Sequence, residues 1–156
     1  TDKYAISYRD TTGDRVKVVT LQVSDFNGLI TQSVIDSQSL TYDGLYTNMI
    51  LVSPDEPLRS GWIFAIAYQE GGTDGAGATN DGFIETIWID NTGMINNTIM
   101  STREFDTADC SYPCLVMIDA DTVAICYTTS GSDGYVSTWN ITSSGIIGTN
   151  MADGWE

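Results

Sequence analysis

The sequence predicts an all-β protein built from three four-stranded antiparallel meander repeats, and three observations predict it. A short strand recurs as Tyr4-Ala5-Ile6-Ser7-Tyr8, Phe64-Ala65-Ile66-Ala67-Tyr68 and Val123-Ala124-Ile125-Cys126-Tyr127, with the central isoleucines 60 and 59 residues apart. Each copy is followed by a strand carrying an aligned threonine, Thr20, Thr86 or Thr138. Each threonine is followed, 8, 7 and 7 residues on, by a glycine that opens a turn: Gly28, Gly93 and Gly145.

Within one repeat the elements follow in order. A leading strand precedes the second and third copies, as Asn48-Met49-Ile50-Leu51-Val52 and Cys114-Leu115-Val116-Met117-Ile118. The Ala-Ile-x-Tyr strand comes next, with Tyr4, Ile6 and Tyr8 on one face and the small Ala5 and Ser7 on the other. Such a strand is covered on both sides, as stacked sheets require where they crowd together. The threonine strand and the glycine turn then lead into a last strand. Repeat boundaries fall near 1–44, 45–109 and 110–156, within one domain of 156 residues. The first copy begins on its second strand, so its edge is expected to be open, and the tail over 149–156 is a candidate to donate a strand to a neighbouring chain.

The unit, an x-Ala-Ile-x-Tyr strand, a polar Asp-Gly turn, an x-x-Thr-x-x-Ile strand and a Gly-x-Ile turn, resembles the blade repeats of β-propeller proteins of microbial cell surfaces and secretions. That resemblance implies a scaffold, because the shared residues are core and turn residues. In the third copy the run from Ser130 to Trp139 is similar to the Asp-box of sialidase propellers, although Asp133 and Gly134 are adjacent where that motif separates them. An Asp-Gly hairpin turn explains the same residues. A propeller has 4 to 8 blades, so three copies are expected to pair with another chain or to belong to a longer one. The lack of a start methionine is read in the same way, as a processed or excised chain. A β-trefoil is the alternative fold.

Twenty-one acidic against 6 basic residues give a net charge of −15, which repels phosphate backbones and anionic lipid. Nucleic acid and membrane insertion are therefore not expected, and no run of 18 apolar residues or basic-then-apolar leader is present. An acidic, solvating surface fits an extracellular or cell-surface protein.

No histidine is present, which removes Ser-His-Asp and Cys-His chemistry and most zinc sites. Paired-carboxylate glycoside hydrolysis needs only two acids, but Arg9, Arg15, Arg59 and Arg103 share no repeat position from which to hold a substrate carboxylate. The expected function is a non-enzymatic scaffold that self-associates, with a carbohydrate-binding module as the alternative and a glycoside hydrolase fragment behind it. Glycans could stack on Trp62, Trp88, Trp139 or Trp155. No cofactor is expected apart from calcium in the insertion between Glu70 and Gly82, where Asp74, Asn80 and Asp81 offer hard oxygen ligands. Cys110 and Cys114 bracket a turn and are expected to form a disulfide, whereas Cys126 occupies an inward slot as a buried thiol. Asn96 and Asn140 head N-x-Thr sequons that would accept glycans in a secreted protein.

Overall fold

Alternating large and small residues between turn-forming Asp, Asn and Gly leave extended chain as the conformation that buries both faces. The computed structural model describes residues 2–13, 15–23, 30–53, 60–71, 80–129, 131, 133–149, 151 and 153–155, and among them there is no helix. Ten strands form: β1 (Asp2–Asp10), β2 (Arg15–Val23), β3 (Ile30–Ser53), β4 (Gly61–Glu70), β5 (Gly82–Asp90), β6 (Ser101–Asp106), β7 (Ser111–Met117), β8 (Thr122–Thr128), β9 (Gly134–Asn140) and β10 (Asp153–Trp155). They make two antiparallel sheets, of order β1-β2-β3-β4-β5-β6 and β10-β9-β8-β7.

Two sheets appear where three units are expected because β3, 24 residues long, serves two neighbours in turn. Its first part, from Ile30 to Asp43, pairs with β2. Its second part, from Gly44 to Ser53, pairs with β4. The register slips between Leu45 and Asn48, where Tyr46 takes a left-handed φ of 48°. The same slip lies between Ser111 and Cys114 on β7, around Tyr112 with φ 53°. A left-handed non-glycine residue marks a bulge that bends its strand. Three layers result: β1, β2 and the first part of β3; the rest of β3 with β4, β5 and β6; and β7 to β10.

Two apolar clusters join the layers. Val16, Val18 and Leu40 of the first layer pack with Ile66, Tyr68 and Ile87 of the second. Ala65, Ala67 and Ile84, on the other side of the second layer, pack with Ile125, Tyr127 and Trp139 of the third. Each fully buried isoleucine here contributes about 1.5–3 kcal/mol. Trp88 and Trp139 lie on opposed sides of their own layers and so enter the same cluster from two directions.

A polar joint accompanies each cluster. Thr20 donates its hydroxyl to the Gly93 carbonyl at 2.5 Å, and Thr86 donates to the Gly145 carbonyl at 2.6 Å, both buried. Gly93 and Gly145 have φ of 90° and 82°, so a side chain there is strained whatever the space. A Cβ on Gly145 would also stand 3.0 Å from the Met100 side chain, and one on Gly93 would stand 2.9 Å from Ile35.

Beyond these turns the chain does not enter a strand at once, as the Gly-x-Ile pattern suggests. It makes one bridge, Ile89 to Ile95 or Ile141 to Ile147, and the next residues keep only scattered bonds to the same strand, Asn96 N–H to Trp88 O and Gly148 N–H to Asn140 O. The reason is that the neighbouring layer takes the next donor: Ile95 N–H goes to Asp36 Oδ2 at 2.8 Å and Ile147 N–H to Ser101 Oγ at 3.2 Å. The last strands, β6 and β10, form later in the chain. Because β10 pairs with β9 through Asp153 to Thr138, the tail completes its own sheet and is not free to act as a donor strand.

Removing a donor from a buried carbonyl costs about 1–3 kcal/mol. Thr86→Val is expected to lower the unfolding free energy by that amount in urea titration, and Thr20→Val to do the same. Gly145→Ala is expected to cost at least as much, because strain and the Met100 contact add. A fully neutral Thr86→Val would show that the joint does not hold the layers.

Candidate functional site

The largest unpartnered features are the outer faces of the first and third layers. On β1, Tyr4, Ile6 and Tyr8 point outward and are 50, 45 and 40% exposed. β2 places the buried Leu21 and the half-buried Val19 opposite Tyr4 and Ile6. On the third layer the outward positions of β7 are Cys114, Val116 and Ile118, with Val116 52% exposed. Cys126 and Val136 lie beside them on β8 and β9, directly opposite one another in register. Contiguous exposed apolar surface of this kind marks an interaction site more often than a chance exposure.

The cysteines are arranged differently from expectation. All three are free thiols, so the structure contains no Cys110–Cys114 bridge. Cys110 is buried in the cluster between the second and third layers, and Cys114 points outward. Cys126 is exposed as well, and not the inward buried thiol expected, because none of the described residues covers the third layer on that side as the third layer covers Ala67. Cys114 and Cys126 are cross-strand partners on this open face. Burial pushes the Cys110 thiol up to about 12, with a smaller effect from Asp106.

Of the calcium candidates, Asp74 lies outside the described residues. Asn80 adopts a left-handed φ of 56° and closes the end of the β4–β5 hairpin. Its Oδ1 accepts from Gln69 Nε2 at 3.0 Å, and its Nδ2 donates to Asp109 Oδ1 at 3.1 Å. The oxygen that a cation would take is therefore already bonded within the protein. Asp81 accepts the Glu70 N–H through its backbone carbonyl at 2.7 Å, and its carboxyl lies beside Glu104. Burial, then the Asp81 charge and hydrogen bond, then Glu70 and Asp106, raise the Glu104 carboxyl above its ordinary range. Among the described residues no group of three or more His, Cys, Asp and Glu is arranged to hold a metal ion.

Other polar groups serve the fold. The fully buried Glu85 accepts from Thr41 N–H and from the Thr102 hydroxyl, both at 3.2 Å, tying the first layer to the second. Burial, and after it the Glu85 charge, push the Tyr68 phenol far above its ordinary value. Arg15 pairs with Asp43 at 3.4 Å, and Arg103 donates to the carbonyls of Thr102 and Gly148. Arg59 lies outside the described residues. Asn96 and Asn140 are both exposed. Trp62 and Tyr4, with Asp2 and Lys3, line an open groove of about 410 Å³ at the end of the first inter-layer joint. Sequence reasoning missed the exposure of the two end faces; the signal for it lay in their likeness to faces that are buried elsewhere in the chain.

No protein-family model matches this chain, and comparison with curated proteins and with solved structures finds no similar chain.

Two outcomes are expected. A maleimide reagent should label Cys114 and Cys126 in the native chain and reach Cys110 only after unfolding; peptide mapping that finds native Cys110 labelled would contradict its burial. The raised Glu104 group favours its protonated form in the folded state. Its contribution is present below the ordinary carboxyl range and lost as pH rises through the folded value. Glu104→Gln should therefore raise the Tm near pH 7 relative to the parent and flatten the decline that sets in above the ordinary carboxyl range. An unchanged profile would mean that the carboxyls do not interact.

Proposed function

We propose that this chain is a non-enzymatic, propeller-like scaffold of stacked four-stranded repeats that works by presenting sheet faces to other protein surfaces, outside the cell or at its surface. The observation that carries the reading is the recurrence of one joint. A threonine hydroxyl on a glycine carbonyl, flanked by a large face on a small one, occurs between the first and second layers and again between the second and third. A unit that stacks on its neighbour through a constant joint is the physical basis of repeat scaffolds. The net charge of −15 and the exposed Asn96 and Asn140 are consistent with an extracellular setting. Buried Thr20, Thr86 and Glu85 bond from one layer to the next, which supports a scaffold over a hydrolase.

The groove at Asp2, Lys3, Tyr4 and Trp62 favours a second reading, carbohydrate binding, because it pairs aromatic faces with polar groups. The two readings separate by experiment. At nanomolar chain concentration the scaffold should bind the neutral dye Nile red through its open faces, and Tyr8→Glu or Val116→Glu should each reduce the fluorescence with an unchanged Tm. Absence of dye binding by the native chain would refute open faces. Retention on immobilised sugars that Trp62→Ala abolishes would replace the scaffold reading with the lectin one.

A further inference from the structure

The two open faces correspond, position by position, to the two halves of the joint that the chain makes twice inside itself. On β1, Tyr4, Ile6 and Tyr8 occupy the places that Phe64, Ile66 and Tyr68 occupy on β4. Ile66 and Tyr68 are 0% exposed because the first layer covers them. On the third layer, Val116, Cys126 and Val136 occupy the places of Ile50, Ala67 and Ile84 on the second. Ala67 and Ile84 are fully buried under the third layer, whereas Val136 is 37% exposed. Among the described residues, one end of the stack therefore displays a large face with no small face upon it. The other displays a small face with no large one.

The geometry points to a second copy of this chain as the occupant: the face of Tyr4, Ile6 and Tyr8 of one copy seats on the face of Val116, Cys126 and Val136 of the next. The inference rests on the stacked-repeat reading and adds the partner. A second copy fits better than an unrelated protein because the contact would continue an interface already built twice in this chain, from the same residue positions. The contact is heterologous, head to tail, so it either closes a ring or continues as a filament. Two copies of three layers close at six, within the 4 to 8 blades of known rings. The −15 charge per copy opposes association at long range, so added salt should strengthen it.

The test is solution mass by light scattering and sedimentation over a range of chain concentration and ionic strength, under reducing conditions. The expected result is an integer multiple of the chain mass, favoured by concentration and salt. Maleimide labelling of Cys114 and Cys126 should slow in the assembly, while Cys110 stays silent throughout. Tyr8→Glu blocks the large face and Val136→Glu the small one; both positions are exposed, so each variant should keep the parent Tm. Each alone should weaken association by about 30-fold or more, since a charge would be buried without a partner. Mixing the two variants should restore one joint and give a species that stops at two copies, which a symmetric contact cannot do. A parent chain that stays monomeric at all concentrations and salts overturns the inference, and so does assembly that both variants leave intact. If Nile red still binds that monomer through the open faces, the scaffold reading stands and only the second copy is lost.

Discussion

The structure depends on satisfying a glycine carbonyl at a place sealed from water. The turn that carries Gly93 or Gly145 inserts into the neighbouring layer, and insertion removes its carbonyl from solvent. A threonine is well suited to meet it, since its methyl continues the apolar wall while its hydroxyl donates. With the donor fixed, the turn is held in depth, and the large side chains above and below can be chosen to fill the remaining space. Asp90 braces one such turn. Burial alone would raise its carboxyl, but hydrogen bonds from the Thr92 hydroxyl and the N–H groups of Met94, Thr92 and Gly93 together hold it below the ordinary range.

Large-on-small packing follows from the same constraint. Where a turn brings two layers close, one face must give room, and Ala65 and Ala67 do so beneath Ile125 and Tyr127. On the other side of β4, Ile66 and Tyr68 fill the wider space over Val16 and Val18. The polarity of the stack is built into one strand: its small face meets the layer that follows and its large face the layer that precedes. A directional stack has two different ends, which is why the exposed faces are unlike and complementary.

Other acidic side chains are fixed outside these joints. At the first hairpin, Lys17 and then Thr12 bond the Asp10 carboxyl and hold it well below the ordinary carboxylate range, with Lys17 Nζ 2.5 Å from its Oδ2. Near Asn80 the carboxyls of Asp81 and Glu104 are neighbours, and side-chain amide bonds of Asn80 keep the hairpin end in place. Charge therefore also shapes the rims of the sheets, while the polar groups of the joints are bonded in place: Thr20 and Thr86 on the glycine carbonyls, Asp36 and Ser101 on the Ile95 and Ile147 N–H groups, and Glu85 on Thr41 and Thr102.

All-β character, the strand positions, the recurring threonine and glycine, and the two unlike faces of the Ala-Ile-x-Tyr strand were legible in the sequence, because strand periodicity and turn stereochemistry act over a few residues. The sharing of β3 between two layers was not, since no local signal marks a strand that changes partners; only the left-handed Tyr46 and the pairing on either side of it do. The disposition of the cysteines was hidden for a related reason. Spacing placed Cys110 near Cys114, but the bulge at Tyr112 adds a residue between them and turns the two to opposite sides, and whether Cys126 is covered depends on what lies beyond the third layer. The amino-acid sequence by itself determined which faces are large and which are small. Only the tertiary structure decided which of them meet and which remain open, because burial is a property of neighbours distant in the chain.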